Sequence, residues 1–290
     1  EEEKERISKL LIFNIPLPLP LNEKLKIKSW NKTNKIFHIK KNKTIQELFE
    51  EQVDKIPNNI AIIFKDNNIS YRELNQLSNK FSNYLSNYVK KGECIIVYLK
   101  RSIDLIISYL AILKIGAVIV PLDYNCPQER LKLIIKDTKS PLIISNTEFQ
   151  EKFNFTKILN EDNDYYDDDD YDYDYDNINL IYFDLNFQNL LNNNLGNNTE
   201  LKNSNDNNNN NNSNDLCIII YSSGSTGIPK GVLLSQNCIL NRLNWMWEKY
   251  PFLQEEEEEI CCQKTSIGFV DSIWEIFGPL LKGIKSILIP

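Results

Sequence analysis

Histidine is almost absent: His38 is the sole imidazole in 290 residues. A serine nucleophile would therefore lack its usual base nearby, and a metal site would have at most one imidazole. Six cysteines, at positions 94, 126, 217, 238, 261 and 262, follow no metal-binding spacing. They read as reduced residues packed as small hydrophobes in the cytosol, with the adjacent Cys261 and Cys262 on opposite faces of a strand. An unbroken apolar span is missing too. The longest candidate, 105–122, contains Lys114, Gly116 and Pro121 and divides better into a helix and a strand. The opening Glu1-Glu2-Glu3-Lys4 has neither an initiator Met nor a basic stretch before an apolar one. That speaks against a signal peptide here and for a piece of a longer chain. The reading is a soluble, cytoplasmic protein with no membrane or nucleic-acid partner.

The formal net charge of −7 is the property of one segment. Residues 161–176, EDNDYYDDDDYDYDYD, hold ten acids and no base, leaving 33 bases against 30 acids elsewhere. With the Asn-rich tract that follows, 161–215 is expected to stay outside the core as a low-complexity insert. Within it, INLIYFDLNF (178–187) has the pattern of an edge strand. The expected organisation is a linker at 1–40, a first subdomain at 41–160, the insert, and the start of a second subdomain at 216–290.

The flanking blocks alternate helix and strand. Thr44 with Glu47, and Ser70 with Glu73, form capping boxes at helix starts. The second opens an amphipathic stripe of Leu74, Leu77, Phe81, Tyr84, Leu85 and Tyr88, closed by Lys90-Lys91-Gly92. Ser102 and Ser235 cap further helices, and Pro127 begins another. Between them lie the apolar strands IAIIF, CIIVYL, AVIVPLD, PLIIS and LCIIIY. Buried strands alternating with amphipathic helices predict a layered α/β fold with parallel sheets.

One stretch does not read as scaffold. IIIYSSGSTGIPKGVLLS (218–235) leaves a buried strand through six Ser, Thr and Gly residues and meets a lysine before turning apolar again. A Walker-type phosphate loop would place the lysine directly after the second glycine, whereas Ile228 and Pro229 separate Gly227 from Lys230. A serine nucleophile with a histidine base finds no G-x-S-x-G elbow. A Ser-Ser-Lys amidase meets that objection, because lysine can replace histidine. The residue types fit a polyanion cradle best. Glycines turn backbone amides inward, hydroxyls add donors, and Lys230 adds a point charge.

YSSGSTGIPKGV closely resembles the phosphate-loop signature of the adenylate-forming enzymes: acyl-CoA synthetases, luciferases and adenylation domains of nonribosomal peptide synthetases. ISYRELNQLS (69–78) and LKIGAVIVPLDYNCPQERL (113–131) resemble the family's first two core motifs, and QKTSIGFVDSIWEIFGPLL a later one. WNKTN (30–34) and TIQELFEEQVDKIPNNIAI (44–62) look like the peptide-synthetase branch. The resemblance covers roughly 10–150 and 216–290. It implies ATP-dependent activation of a carboxylic acid, with Mg2+, as an acyl-adenylate, followed by transfer to a carrier phosphopantetheine or CoA thiol. Ser222, Ser223, Gly224, Ser225, Thr226, Gly227 and Lys230 would hold the β- and γ-phosphates. Its alternatives are a free-standing acyl-CoA synthetase and an inactive fragment or pseudoenzyme that binds nucleotide or a partner.

Two departures bear on what the resemblance implies. The peptide-synthetase pattern has Phe-Asp-x-Ser, its Asp pairing with a substrate α-ammonium, whereas this chain has Phe269-Val270-Asp271-Ser272. An α-ammonium facing Val270 would be left without its carboxylate. Asp271 would instead meet an amine one methylene further out, as in β-alanine, or stand exposed beside an acid that has no amine. Trp274 either lines that pocket or belongs to the core. The family's adenine- and Mg-binding segment, ribose-binding aspartate and adenylation lysine have no counterpart in 1–290. No catalytic residue is assigned here, and this stretch alone is not expected to form adenylate.

Overall fold

The computed structural model describes residues 20–32, 43–149, 178–187, 212–222, 229–252 and 259–290. The chain divides into two units, Glu1–His38 and Ile39–Pro290. In the first, helix α1 (Leu21–Trp30) buries none of its residues.

In the second unit, side-chain caps fix where helices begin. Helix α2 (Ile45–Lys55) starts at a complete capping box: the Thr44 amide donates to Glu47 Oε2 at 2.7 Å and the Glu47 amide to Thr44 Oγ1 at 3.4 Å. Strands β1 (Ile60–Phe64) and β2 (Asn67–Ser70) form a hairpin that delivers Ser70 as the cap of α3 (Tyr71–Leu85). There the Ser70 amide donates to Glu73 Oε2 at 2.9 Å. The α3 helix stops at Leu85, one turn earlier than its apolar stripe predicts. Tyr88 lies outside it and is exposed, its hydroxyl donating to that of Tyr84 at 3.2 Å. Strand β3 (Cys94–Val97) follows, then α4 (Ile103–Lys114), capped by Ser102. Gly116 ends that region at φ +71°, a conformation open to glycine at no steric cost. After β4 (Val118–Pro121) come α5 (Gln128–Thr138), β5 (Leu142–Ser145) and β6 (Asn179–Tyr182). The chain continues through β7 (Leu216–Ser222), β8 (Lys230–Ser235), α6 (Gln236–Lys249), β9 (Ile260–Gln263), α7 (Asp271–Leu280) and β10 (Lys285–Leu288).

Ten strands form two sheets among the described residues. One has the order β2-β1-β10-β9 and the other β6-β5-β3-β4-β7-β8. All pairings are parallel except the β1–β2 and β7–β8 hairpins. The α/β reading therefore holds, with one antiparallel strand at one edge of each sheet. Both sheets take strands from either side of the insert: β1 lies beside β10, and β4 beside β7.

Alternate residues of the six-stranded sheet feed two cores, as pleating requires. Ile95, Val97, Ile119, Ile144 and Ile218 face the larger one, which α3 and α4 fill. Ile96, Val118, Val120, Ile143 and Ile219 face the other, covered by Leu131, Ile134 and Ile135 of α5. Helix α4 is buried from Leu105 to Lys114. The Lys114 ammonium pairs with Glu50, and burial lowers its pKa while Glu50 opposes the shift.

Part of the insert belongs to this core, which corrects the sequence reading. Ile181, Phe183 and Phe187 are each 3% exposed or less. Strand β6 extends the sheet at its edge, and the π-helical turn Phe183–Phe187 folds two rings against Phe81, with centroids 4.9 and 5.2 Å away. Phe81 meets both rings edge-to-face, an arrangement worth about 0.5–1.5 kcal/mol per pair beyond the area buried. The acidic run at 161–176 and the Asn tract at 207–211 lie outside the described residues.

Candidate functional site

Strand β7 is buried from Cys217 to Tyr221, then surfaces at Ser222. It pairs antiparallel with β8, the last pairs being Tyr221 with Gly231 and Ser222 with Lys230. The Ser222 hydroxyl donates to the Lys230 carbonyl at 3.4 Å, and both residues are exposed. The fold thus brings the two ends of the Gly/Ser segment side by side. Ser223, Gly224, Ser225, Thr226 and Gly227 lie outside the described residues.

The stem of that hairpin is fixed from below. Arg130 of α5 donates from Nη2 to the Tyr221 carbonyl at 2.9 Å, and the Tyr221 hydroxyl donates to the Asp137 carboxylate on the same helix. Burial, then the hydrogen bond to Asp137, push the Tyr221 phenol upward, so it remains a donor. Gly231 makes room for the ring: a Cβ there would stand 3.0 Å from Ile219 Cγ2 and 3.2 Å from Tyr221 Cζ.

The second group of expected site residues opens α7. Phe269 and Val270 are 66% and 55% exposed, and Asp271 is exposed in the helix's first turn. Trp274 is half-buried at the core margin, stacked on Phe252 with centroids 6.3 Å apart and rings 7° from parallel. It also presses on its own helix, where a Cβ at Gly278 would lie 2.6 Å from the indole. The loop before α7 is held by carboxylates. Glu275 Oε2 accepts from the Lys264 and Thr265 amides, both at 2.8 Å, and Oε1 accepts the Thr265 hydroxyl at 2.6 Å. Asp123, just past β4, accepts the Ser266 hydroxyl.

Between the carboxyl ends of strands from both sheets lies a cleft of about 490 Å³. Such crevices are where open α/β sheets bind ligands. Its walls include Phe64, Arg101, Asp104, Asp123, Lys264 and Ser266. Arg101 donates from Nη2 to the Lys264 and Thr265 carbonyls at 2.8 Å each, and from Nη1 to the Ile289 carbonyl. Burial, then the nearby Asp184, push the Asp104 carboxyl up to about 6. Val270, Asp271 and Trp274 are not among the residues lining this cleft. Sequence reasoning missed Arg101, Asp123, Arg130 and Asp137 as parts of a site. Asp123 and Arg130 sit inside LKIGAVIVPLDYNCPQERL, where they counted only toward a resemblance.

Among the described residues, no three His, Cys, Asp or Glu side chains form a group that could hold a metal ion. No described helix is long and apolar enough to cross a membrane.

The pattern described as "AMP-binding enzyme" matches residues 49–290. Over 251 residues the chain is 32% identical to one component of the mycosubtilin synthase of Bacillus subtilis, covering 86% of this chain and 8% of that protein. It is 31% identical over 242 residues to zwittermicin A synthase ZmaJ of Bacillus cereus, covering 83% and 40%. It therefore spans less than half the length of either relative. The solved N-terminal subdomain of Klebsiella oxytoca NpsA, in complex with 3-hydroxybenzoyl-AMSN, superposes with a TM-score of 0.62 at 25% identity, covering 86% of this chain and 54% of that one. VinN in complex with L-aspartate shares the fold, with a TM-score of 0.69 at 20% identity, covering 86% and 57%. A family match that runs from within α2 to Pro290 over this architecture is decisive: the chain belongs to the AMP-binding enzymes, with relatives among the nonribosomal peptide synthetases.

Proposed function

We propose that this chain is the part of a cytoplasmic adenylation domain that holds the phosphates of ATP and recognises a carboxylic acid, best a β-amino acid. The observation that carries the reading is the β7–β8 hairpin, which sets Ser222 against Lys230 across the Gly/Ser segment at the carboxyl edge of a parallel sheet. In the reaction, the acid's carboxylate oxygen attacks the α-phosphorus of ATP. An acyl-adenylate forms and pyrophosphate departs. A carrier phosphopantetheine or CoA thiol then takes the acyl group, releasing AMP. One solved relative is itself an artificial fusion of an adenylation domain to a carrier domain.

The protein's part is positioning and charge stabilisation. Lys230, exposed at the start of β8, supplies a cation for the departing pyrophosphate. Ser222, Ser223, Ser225 and Thr226 supply hydroxyl donors, while Gly224 and Gly227 let backbone amides approach. On the acid side, Val270 offers no charge for an α-ammonium, and Asp271 offers a carboxylate one residue later. Glu275 ties the loop's first amides to the helix that follows it, which supports a fixed turn before Val270 and Asp271. A second reading, an acid without an amine, draws support from the aryl-adenylate analogue named with NpsA.

The test is acid-dependent ATP–pyrophosphate exchange by the natural full-length protein, with β-alanine, α-amino acids, an aryl acid and a fatty acid. The expected result is strongest exchange with β-alanine. Preference for an aryl acid supports the second reading, and preference for an α-amino acid refutes both. No exchange with any acid, from folded protein, assigns the chain to the pseudoenzymes.

A further inference from the structure

The segment from Asp123 to Asp137 reaches both groups of site residues, and by separate contacts. At its start, Asp123 Oδ1 accepts from the Asn125 amide at 2.9 Å while Oδ2 accepts the Ser266 hydroxyl. Ser266 Oγ in turn accepts the Gly268 amide at 3.4 Å, and the Ser266 carbonyl accepts the Phe269 amide at 3.0 Å. One carboxylate thus shapes the turn that presents Val270 and Asp271. Further along, Arg130 holds the Tyr221 carbonyl and Asp137 the Tyr221 hydroxyl, one residue before Ser222. These bonds join parts 143, 91 and 84 residues apart in sequence.

We propose that this β4–α5 segment is a two-armed positioning element, in which Asp123 sets the acid-recognition turn while Arg130 and Asp137 set the stem of the phosphate loop. This rests on the reading above for what the two loops bind. None of the three need touch substrate. Each acts through a residue it holds: Ser266 for one arm, Tyr221 for the other. A guanidinium on the last buried carbonyl of β7 fixes that peptide plane, hence the direction in which the chain leaves the sheet. The phenol bond stops the same residue from rolling in its Gly231 slot.

Because the arms are separate, their losses should be separable. In acid-dependent exchange by the full-length protein, Asp123→Ala should raise KM for the acid about tenfold and leave KM for ATP within about twofold. Arg130→Ala should do the reverse, and Tyr221→Phe should reproduce a smaller part of the Arg130 effect. Asp123→Asn, which keeps an acceptor for Ser266, should recover most of the acid KM. A purely structural role would raise both KM values together, in step with a fall in Tm, and that result overturns the proposal. Hydrogen–deuterium exchange reads the same arms without catalysis. Asp123→Ala should speed exchange at 264–270 and spare 216–222, and Arg130→Ala the converse. If the wild type supports no exchange reaction but the deuterium pattern separates, the functional reading fails and the two arms stand. If both variants loosen both regions alike, the two-armed element is wrong whatever the activity.

Discussion

The β7–β8 hairpin and the turn before α7 are both exposed at carboxyl ends of strands, yet they are held in opposite ways. The hairpin closes on itself: six ladder pairs from Leu216–Ser235 to Ser222–Lys230 tie both ends of the Gly/Ser segment to one sheet. The turn has no ladder and depends on side chains, with Glu275 and Asp123 accepting its amides and hydroxyls and Arg101 donating to its carbonyls. Many weak backbone bonds degrade gradually, whereas a few charged acceptors fail at once.

The sharpest break in that comparison should come at Lys230. Lys230→Ala removes the cation and should lower kcat/KM for ATP by about 100-fold, whereas Ser222→Ala, one donor among several, should cost about threefold or less. Steady-state exchange kinetics at saturating acid check both. On the other side, Glu275→Ala deletes three bonds at once. It should cost about 2–3 kcal/mol in urea unfolding, since hydrogen bonds to a charged group are worth more than neutral ones. It should also raise KM for the acid more than KM for ATP. The smallest effect concerns the cleft at the carboxyl ends of the strands. Asp104 has its folded-state pKa raised to about 6, so its proton binds the fold more tightly than the unfolded chain. Its contribution penalises the fold above that pH and fades as pH falls through about 6 toward 4. Asp104→Asn should stabilise the protein by roughly 1–2 kcal/mol near pH 7.5 and by almost nothing at about pH 4. Unfolding curves at the two pH values read the difference.

How much of this was legible follows from the range of each interaction. The capping boxes at Thr44–Glu47 and Ser70–Glu73 join residues three apart, and both formed as their spacing predicts. Continuous apolar runs made the inner strands plain, since they are buried on both faces. The core role of Phe183 and Phe187 was hidden because their polar, low-complexity flanks dominate composition, while their partner Phe81 is a hundred residues away. The hairpin direction of β8 depends on the short loop before it, which two apolar strands do not reveal by themselves. Asp123 and Arg130 were invisible as a positioning pair for the same reason: nothing local marks a contact with Ser266 or Tyr221.

The most direct measurement restores the order of residues that Val270-Asp271 inverts. In the full-length protein, the double variant Val270→Asp with Asp271→Ala returns the carboxylate to the α-ammonium position. The kcat/KM ratio for β-alanine over an α-amino acid is then compared with the wild type in pyrophosphate exchange. We predict that the preference reverses toward the α-amino acid by about 100-fold or more, as expected when a substrate ammonium gains or loses its carboxylate partner. An unchanged ratio in a folded, active variant would contradict the assignment of Asp271 as the residue that reads the substrate's amine.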